Sequence, residues 1–249
     1  MEGVVTALFL LVQLPVFRLC KRLAYILIEY MLLRQKAHIV NDASIGLLSR
    51  IPCRRPSGAN FERSRSAMSR ILSCHPDFST DVVTMVDVTV DCLPSGNFLF
   101  HYNVHVAGDQ LALPKPATPE RTDYLWQNTC FEAFIGARDT TEYFELNLSP
   151  STQWAAYAFE DYRQGMSNPD LVSPPRIETS MTANNFELLA TVNLSGLPTL
   201  ETGRLELGLA AVLEEKNGRK SLWALKHNLG NPDFHDRDCF IHKFETAEI

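Results

Sequence analysis

The chain lacks the short motifs that mark most nucleotide-dependent and hydrolytic chemistry. No G-x-G-x-x-G, Walker-type loop, G-x-S-x-G or H-E-x-x-H occurs in its 249 residues. The phosphate cradle, the nucleophile elbow and the zincin helix therefore have no support. C-x-x-C pairs are also missing. The six cysteines (Cys20, Cys53, Cys74, Cys92, Cys130 and Cys239) are scattered without metal-type spacing, and no C-x-x-C-H haem-attachment run is present. A disulfide pair stands as one option, against free buried thiols in a reducing compartment. Basic charge is scarce over most of the chain. The net charge of −6 hides a split: residues 1–67 hold ten Lys/Arg against four Asp/Glu, and residues 68–249 hold thirteen against twenty-five. Phosphates demand a basic surface, so no nucleic-acid partner is expected for the acidic piece.

The basic piece, 1–67, reads as an N-terminal extension rather than a domain. Its run "VVTALFLLVQLPVFRLCKRLAYILIEYMLLRQK" (4–36) is strongly apolar, but Arg18, Lys21, Arg22 and Glu29 interrupt it and Pro15 breaks its first half. A secretory signal would place its positive charge before the apolar run, and here the charge comes after. Two readings stay open. The segment is a membrane-seated helix or hairpin with its basic residues on the cytoplasmic side, or it is not native and translation starts at Met68. "RIPCRRPSGANFERSRSAM" (50–68) has linker composition in either case. The expected location is cytoplasmic, with membrane association only through residues 4–36.

From residue 82 onward, period-two alternation recurs. "FLFHYNVHV" (98–106) puts Phe98, Phe100, Tyr102, Val104 and Val106 on one face. In "VVTMVDVTVD" the same rule sets Val83 and Met85 opposite Val82, Thr84, Val86, Val88 and Val90. Further strand-like runs cover 129–136, 142–149, 152–159, 186–194, 204–213, 221–225 and 239–244, with Gly, Pro, Asn and Ser between them. Many short strands and few helical patterns predict an all-β, two-sheet antiparallel sandwich over 68–249.

Within it, "TCFEAFIG" places Glu132 on one face with Cys130 and Phe134, where a carboxylate is costly unless paired, protonated or used. "EYFELNLS" places Tyr143, Glu145 and Asn147 together. If these strands pair with "QWAAYAFEDY" as a meander, one face gathers Glu132, Tyr143, Glu145, Asn147 and an aromatic of the third strand. Such a face suits a polar ligand with apolar patches, for example a sugar. The alternative is a wet outer sheet face, with Glu132 in a structural ion pair to Arg121 or Arg163.

These same segments carry a resemblance. "RTDYLWQNTCFEAFIG", "YFELNLSPSTQWAAYAFEDYRQGM" and "LWALKHNLGNPDFHDRDCF" together resemble the bacterial DOMON-like proteins, relatives of the family 9 carbohydrate-binding modules. "MSRILSCHP" (68–76) looks like the start of such a protein, and the resemblance extends to about Phe244. It implies a β-sandwich that binds sugars or haem. Family 9 modules are similar in placing a Trp and acidic residues near their ligand. Trp126 and Glu132 match that pattern, and Glu145 and Asn147 match the strand that follows.

The expected ligand set is then Trp126 and Trp154 as stacking platforms, Glu132, Tyr143, Glu145 and Asn147 on the sheet, Arg163 as an anion clamp, and His227 and His235 in the loop 226–240. Trp223 reads as a core filler. No metal, catalytic residue or obligatory cofactor is expected. Haem through Met166, His227 or His235 is the cofactor alternative. The functional expectation is binding of a small polar, saccharide-like ligand without chemistry. The alternatives are a glycoside-active enzyme using Glu132 and Glu145 as acid and base, or a protein-interaction module.

Overall fold

The described residues form eleven antiparallel strands: β1 (Met68–Cys74), β2 (Val83–Cys92), β3 (Asn97–Val106), β4 (Cys130–Ala137), β5 (Tyr143–Leu148), β6 (Trp154–Phe159), β7 (Arg176–Met181), β8 (Asn185–Asn193), β9 (Arg204–Glu214), β10 (Lys220–Ala224) and β11 (His242–Glu245). In the computed structural model the described residues are 68–93, 97–197, 200 and 203–245. The apolar run 4–36 and the linker-like stretch up to residue 67 lie outside them. Helical structure among the described residues is confined to short 3-10 turns, and no helix there is long and apolar enough to cross a membrane.

Strand order runs β6-β5-β4-β9-β10-β1-β2-β3-β8-β7, with β11 also on β9. The path folds at β1. Met68–Leu72 pair with β2, whereas Ser73 and Cys74 pair with Ala224 and Trp223 of β10. One strand thus serves two layers: a front layer of β6, β5, β4, β9, β10 and β11, and a back layer of β2, β3, β8 and β7. Between them lies the core, where Val86, Val88, Phe100 and Tyr102 of the back layer meet Phe131, Ile135, Leu207 and Leu209 of the front. The Tyr102 ring lies 5.0 Å from that of Phe131, and its hydroxyl donates to the Glu132 carbonyl at 2.7 Å. Each such large side chain contributes about 1.5–3 kcal/mol by leaving water. Trp223 belongs to this core, its indole N–H bonded to Ser221 Oγ. The four described cysteines, Cys74, Cys92, Cys130 and Cys239, are free.

Two strand expectations need correction. Val83 is buried with Val86, Val88 and Val90, not on the face opposite them. The β2–β3 register shifts between Val83 and Met85, and the extra residue of this bulge turns Val83 back inward. Strands β1 and β7 were not expected, and "RIETSM" of β7 is an edge strand in which only Ile177 is buried. Too few of its positions meet the core to show alternation.

Small residues on the front layer's outer face let a long segment lie on it. A Cβ at Gly208 of β9 would stand 2.7 Å from the Phe240 ring, and one at Gly136 of β4 would collide with Arg237. Both strand glycines therefore admit close approach by the segment 226–241. Gly208→Ala is expected to destabilise the protein by about 1–3 kcal/mol through overpacking against Phe240. A denaturant melt that leaves the midpoint unchanged would show that Phe240 does not rest on this face.

Candidate binding site

The outer face of the front layer is a second, half-covered apolar surface. Cys130, Phe134, Tyr143, Ala155, Tyr157, Phe159 and Ala210 form it, and Leu125, Phe240 and Phe234 pack on it from the connecting segments. Where this cover is incomplete, a cavity of about 750 Å³ opens. Its floor is made by Glu132 and Phe134 of β4, Glu145 of β5, Tyr157 and Phe159 of β6, Val212 of β9, and Lys220 and Leu222 of β10. Three segments wall it: Asp123, Tyr124 and Trp126 before β4, Arg163, Met166 and Asn168 after β6, and Pro232, Phe234 and His235 before β11. Strand pairing explains the floor. Glu132 lies opposite Asn147, and Phe134 opposite Glu145, so the two glutamates are diagonal neighbours on one face.

The walls carry two features that packing alone does not require. Tyr124 and Trp126 are 66% and 50% exposed, although both are large aromatics on a cavity rim. Tyr124 and Arg163 also hold left-handed backbones, at φ 63° and 53°. Non-glycine residues adopt that region at a cost, and such strain concentrates at functional sites.

Glu132 is 4% exposed, and its Oε1 has no hydrogen-bond partner among the described residues. Neither arginine considered for it is free to pair, because Arg121 binds Asp123 at 3.0 Å and Arg163 binds Asp233 at 2.8 Å. Burial, reinforced by the neighbouring Glu145 and only partly opposed by Arg163, pushes the Glu132 carboxyl well above the usual carboxylate range. Burial raises Glu145 as well, against the Asn147 amide that donates to its Oε1 at 2.7 Å.

A hydrogen-bond chain orients His235 beside this pair. The Arg163 backbone N–H donates to the Tyr143 hydroxyl at 3.1 Å, and that hydroxyl shares a hydrogen bond of 2.8 Å with His235 Nδ1. The other ring nitrogen, Nε2, faces Glu145 Oε2 at 3.6 Å. Burial, together with Arg163, pushes His235 down to about 4, so the ring is neutral near pH 7.

Of the expected site residues, Trp126, Glu132, Glu145, Arg163 and His235 come together around the cavity. The others do not line it. Trp154 is placed on the opposite face of β6, against the sandwich core, because it alternates with the outward Ala155 and Tyr157. Asn147 is fully buried beneath Glu145, and Tyr143 is stacked on Phe159 at 4.8 Å, so each orients a neighbour. His227 packs on His75 and bonds the Ser73 carbonyl at 2.9 Å, away from the cavity. Sequence reasoning missed Tyr124 and Phe234, for which an aromatic in a loop was the available signal. It also missed Val212, Lys220 and Leu222, which only strand register brings to the floor.

Of the groups considered for haem, Met166 and His235 line the cavity, His235 Nδ1 is bonded to the Tyr143 hydroxyl at 2.8 Å, and His227 is bonded to the Ser73 carbonyl at 2.9 Å. Among the described residues no group of three or more His, Cys, Asp or Glu side chains could hold a metal ion.

These shifts give stability a two-sided pH dependence. The raised Glu132 makes the native state hold a proton that the unfolded chain releases above about 4.5, so its contribution is complete below that pH and is lost as pH rises through the folded value. His235 acts oppositely, with a contribution present above 6.5 and lost as pH falls towards 4. Melting temperatures across this range are expected to show Glu132→Gln gaining on the wild type at rising pH, and His235→Asn flattening the acid limb. A Glu132→Gln protein that loses ground towards neutral pH would mean an ionised, stabilising Glu132.

Fold comparison finds a likeness to a candidate carbohydrate-binding protein from Bacteroides uniformis ATCC 8492, with TM-score 0.53 and 12% identity over 70% of this chain and 84% of that one. A family 9 carbohydrate-binding module from Caldicellulosiruptor kristjanssonii in complex with cellotriose aligns at TM-score 0.44 and 12% identity, over 72% of this chain and 82% of that one. No family profile matches the chain, and no curated protein matches it in sequence. At this identity the Bacteroides likeness is one of fold: both chains are β-sandwich-type antiparallel proteins.

Proposed function

We propose that the chain binds a small, polar, saccharide-like ligand in the front-layer cavity, without chemistry, as a DOMON-like relative of the family 9 modules. One observation carries the reading: half-exposed Trp126 and Tyr124 stand over a floor that holds a buried carboxyl oxygen without a partner. A sugar offers an apolar C–H face to an aromatic ring and hydroxyls to a polar floor, and few other small ligands offer both. The carbohydrate assignment of the Bacteroides neighbour agrees with this reading.

The glutamate pair favours a second reading, a glycoside-active enzyme. Acid and base roles, however, need environments that push two carboxyls apart. Here burial raises both Glu132 and Glu145, shifting the two carboxyls in the same direction.

A thermal-shift series of the full chain against mono- and oligosaccharides tests the binding reading. At a ligand concentration of about 100 Kd, stabilisation of about 2.7 kcal/mol is expected. Trp126→Ala is expected to abolish it while the variant still melts cooperatively. A cooperative wild type that no sugar stabilises would sink the saccharide reading. Release of an aryl leaving group from glycosides, lost in Glu132→Gln, would instead establish the enzyme.

A further inference from the structure

The charges around the cavity do not balance. Among the described residues the two cations that line it already face acids, Arg163 held by Asp233 at 2.8 Å and Lys220 opposite Glu214 at 4.0 Å, and Arg121 nearby is held by Asp123 at 3.0 Å. The two floor carboxyls have no such partner. Among the described residues Glu145 accepts from the Asn147 amide and faces the His235 ring, and Glu132 Oε1 has no hydrogen-bond partner. That oxygen belongs to a side chain buried on a cavity floor, so its missing partner is one that a ligand can supply. Trp126, Tyr157, Phe159 and Phe234 line the same space.

We infer that the ligand is a saccharide carrying a protonated amine, whose ammonium group sits between Glu132 and Glu145. The inference rests on the saccharide reading and narrows it to a chemical class. A hydroxyl would satisfy Glu132 Oε1 but leave two carboxyls sharing one buried face. An ammonium brings three donors and a positive charge, enough to bridge both. Aromatic walls favour the same cation through their ring quadrupoles.

Binding would then be linked to a proton. The charged or titratable groups facing Glu132 are Glu145 on β5 and Arg163 after β6, with Cys130 on its own strand and Tyr102 reaching its carbonyl from the back layer. Those facing Glu145 are Arg163 and His235 from the wall segments, with Tyr143 and Tyr157 on the flanking sheet positions. Of these, only Arg163 is cationic near pH 7, and Asp233 offsets it. Before binding, burial and mutual repulsion both favour a proton on the glutamate pair. The ammonium favours both carboxylates, and the displaced proton leaves to solvent. Affinity therefore rises with pH until the amine itself deprotonates.

Titration calorimetry of the full chain tests this with glucosamine, glucose and N-acetylglucosamine at pH 6.5, in two buffers of different ionisation enthalpy. Glucosamine is expected to bind about tenfold or more tightly than either neutral sugar, with net proton release. In Glu132→Gln and Glu145→Gln the ratio should fall towards one. The wild-type comparison and the direction of proton transfer decide the matter even if a variant fails to fold. Neutral sugars binding as tightly as glucosamine, or proton uptake on binding, would overturn the inference and leave the saccharide reading standing. Binding of none of the three would overturn both.

Discussion

Everything at the candidate site depends on a carboxyl buried at the middle of a sheet without a cation to hold it. Glu132 is fixed from both sides. Behind the sheet, the Tyr102 hydroxyl takes its carbonyl at 2.7 Å and Phe131 anchors its neighbour in the core. In front, β4 is paired on both edges, with Asn147 on one side and Ala210 on the other. The strand cannot twist to release the side chain into water without breaking ladder bonds on both sides. Burial is therefore imposed by register, and it raises the carboxyl's affinity for a proton.

The loops above deepen this isolation by satisfying their own charges. Asp233 accepts from the Tyr162 hydroxyl, the Arg163 guanidinium and the His235 backbone N–H. It thereby ties the turn after β6 to the segment before β11. Arg163, the wall cation whose charge acts on both floor glutamates, is engaged in that tie and with the ring of Tyr162 at 5.8 Å. The left-handed backbone at Arg163 also aims its N–H at Tyr143, whose hydroxyl is hydrogen-bonded to His235. One strained residue thus closes the rim and orients the imidazole beside Glu145.

Much of this was legible in the sequence, and what was not has physical reasons. Period-two alternation gave the faces of β3, β4 and β5, and with them the shared side of Glu132 and Glu145, because strand geometry is local. Trp126, read as lying where a loop enters a strand, sits in the 3-10 turn Leu125–Gln127 ahead of β4. Alternation could not tell which of the two faces of β6 would be outward. Trp154 looked like a platform, yet its partner Leu148 is a core residue, which turns the indole to the sandwich interior. Nor could it show that β9 and β10 lie beside β4, about 80 residues later in the chain, so Val212, Lys220 and Leu222 were out of reach. The bulge at Val83 and the buried amide of Asn147 are likewise consequences of pairing.

The division between rigid floor and adjustable wall bears on how such a site would select its ligand. The floor groups sit on five paired strands, so little conformational freedom is lost when they meet a ligand. The wall aromatics, Tyr124 and Trp126, are already half out of the protein, and a ligand that covers them removes apolar surface from water with no loss of existing packing. Affinity for a ring can therefore come from the rim, where many rings would do. Selection falls to the floor, where burial makes an unsatisfied or wrongly charged partner costly and the fixed spacing of β4 and β5 prevents the carboxyls from moving apart to accommodate it.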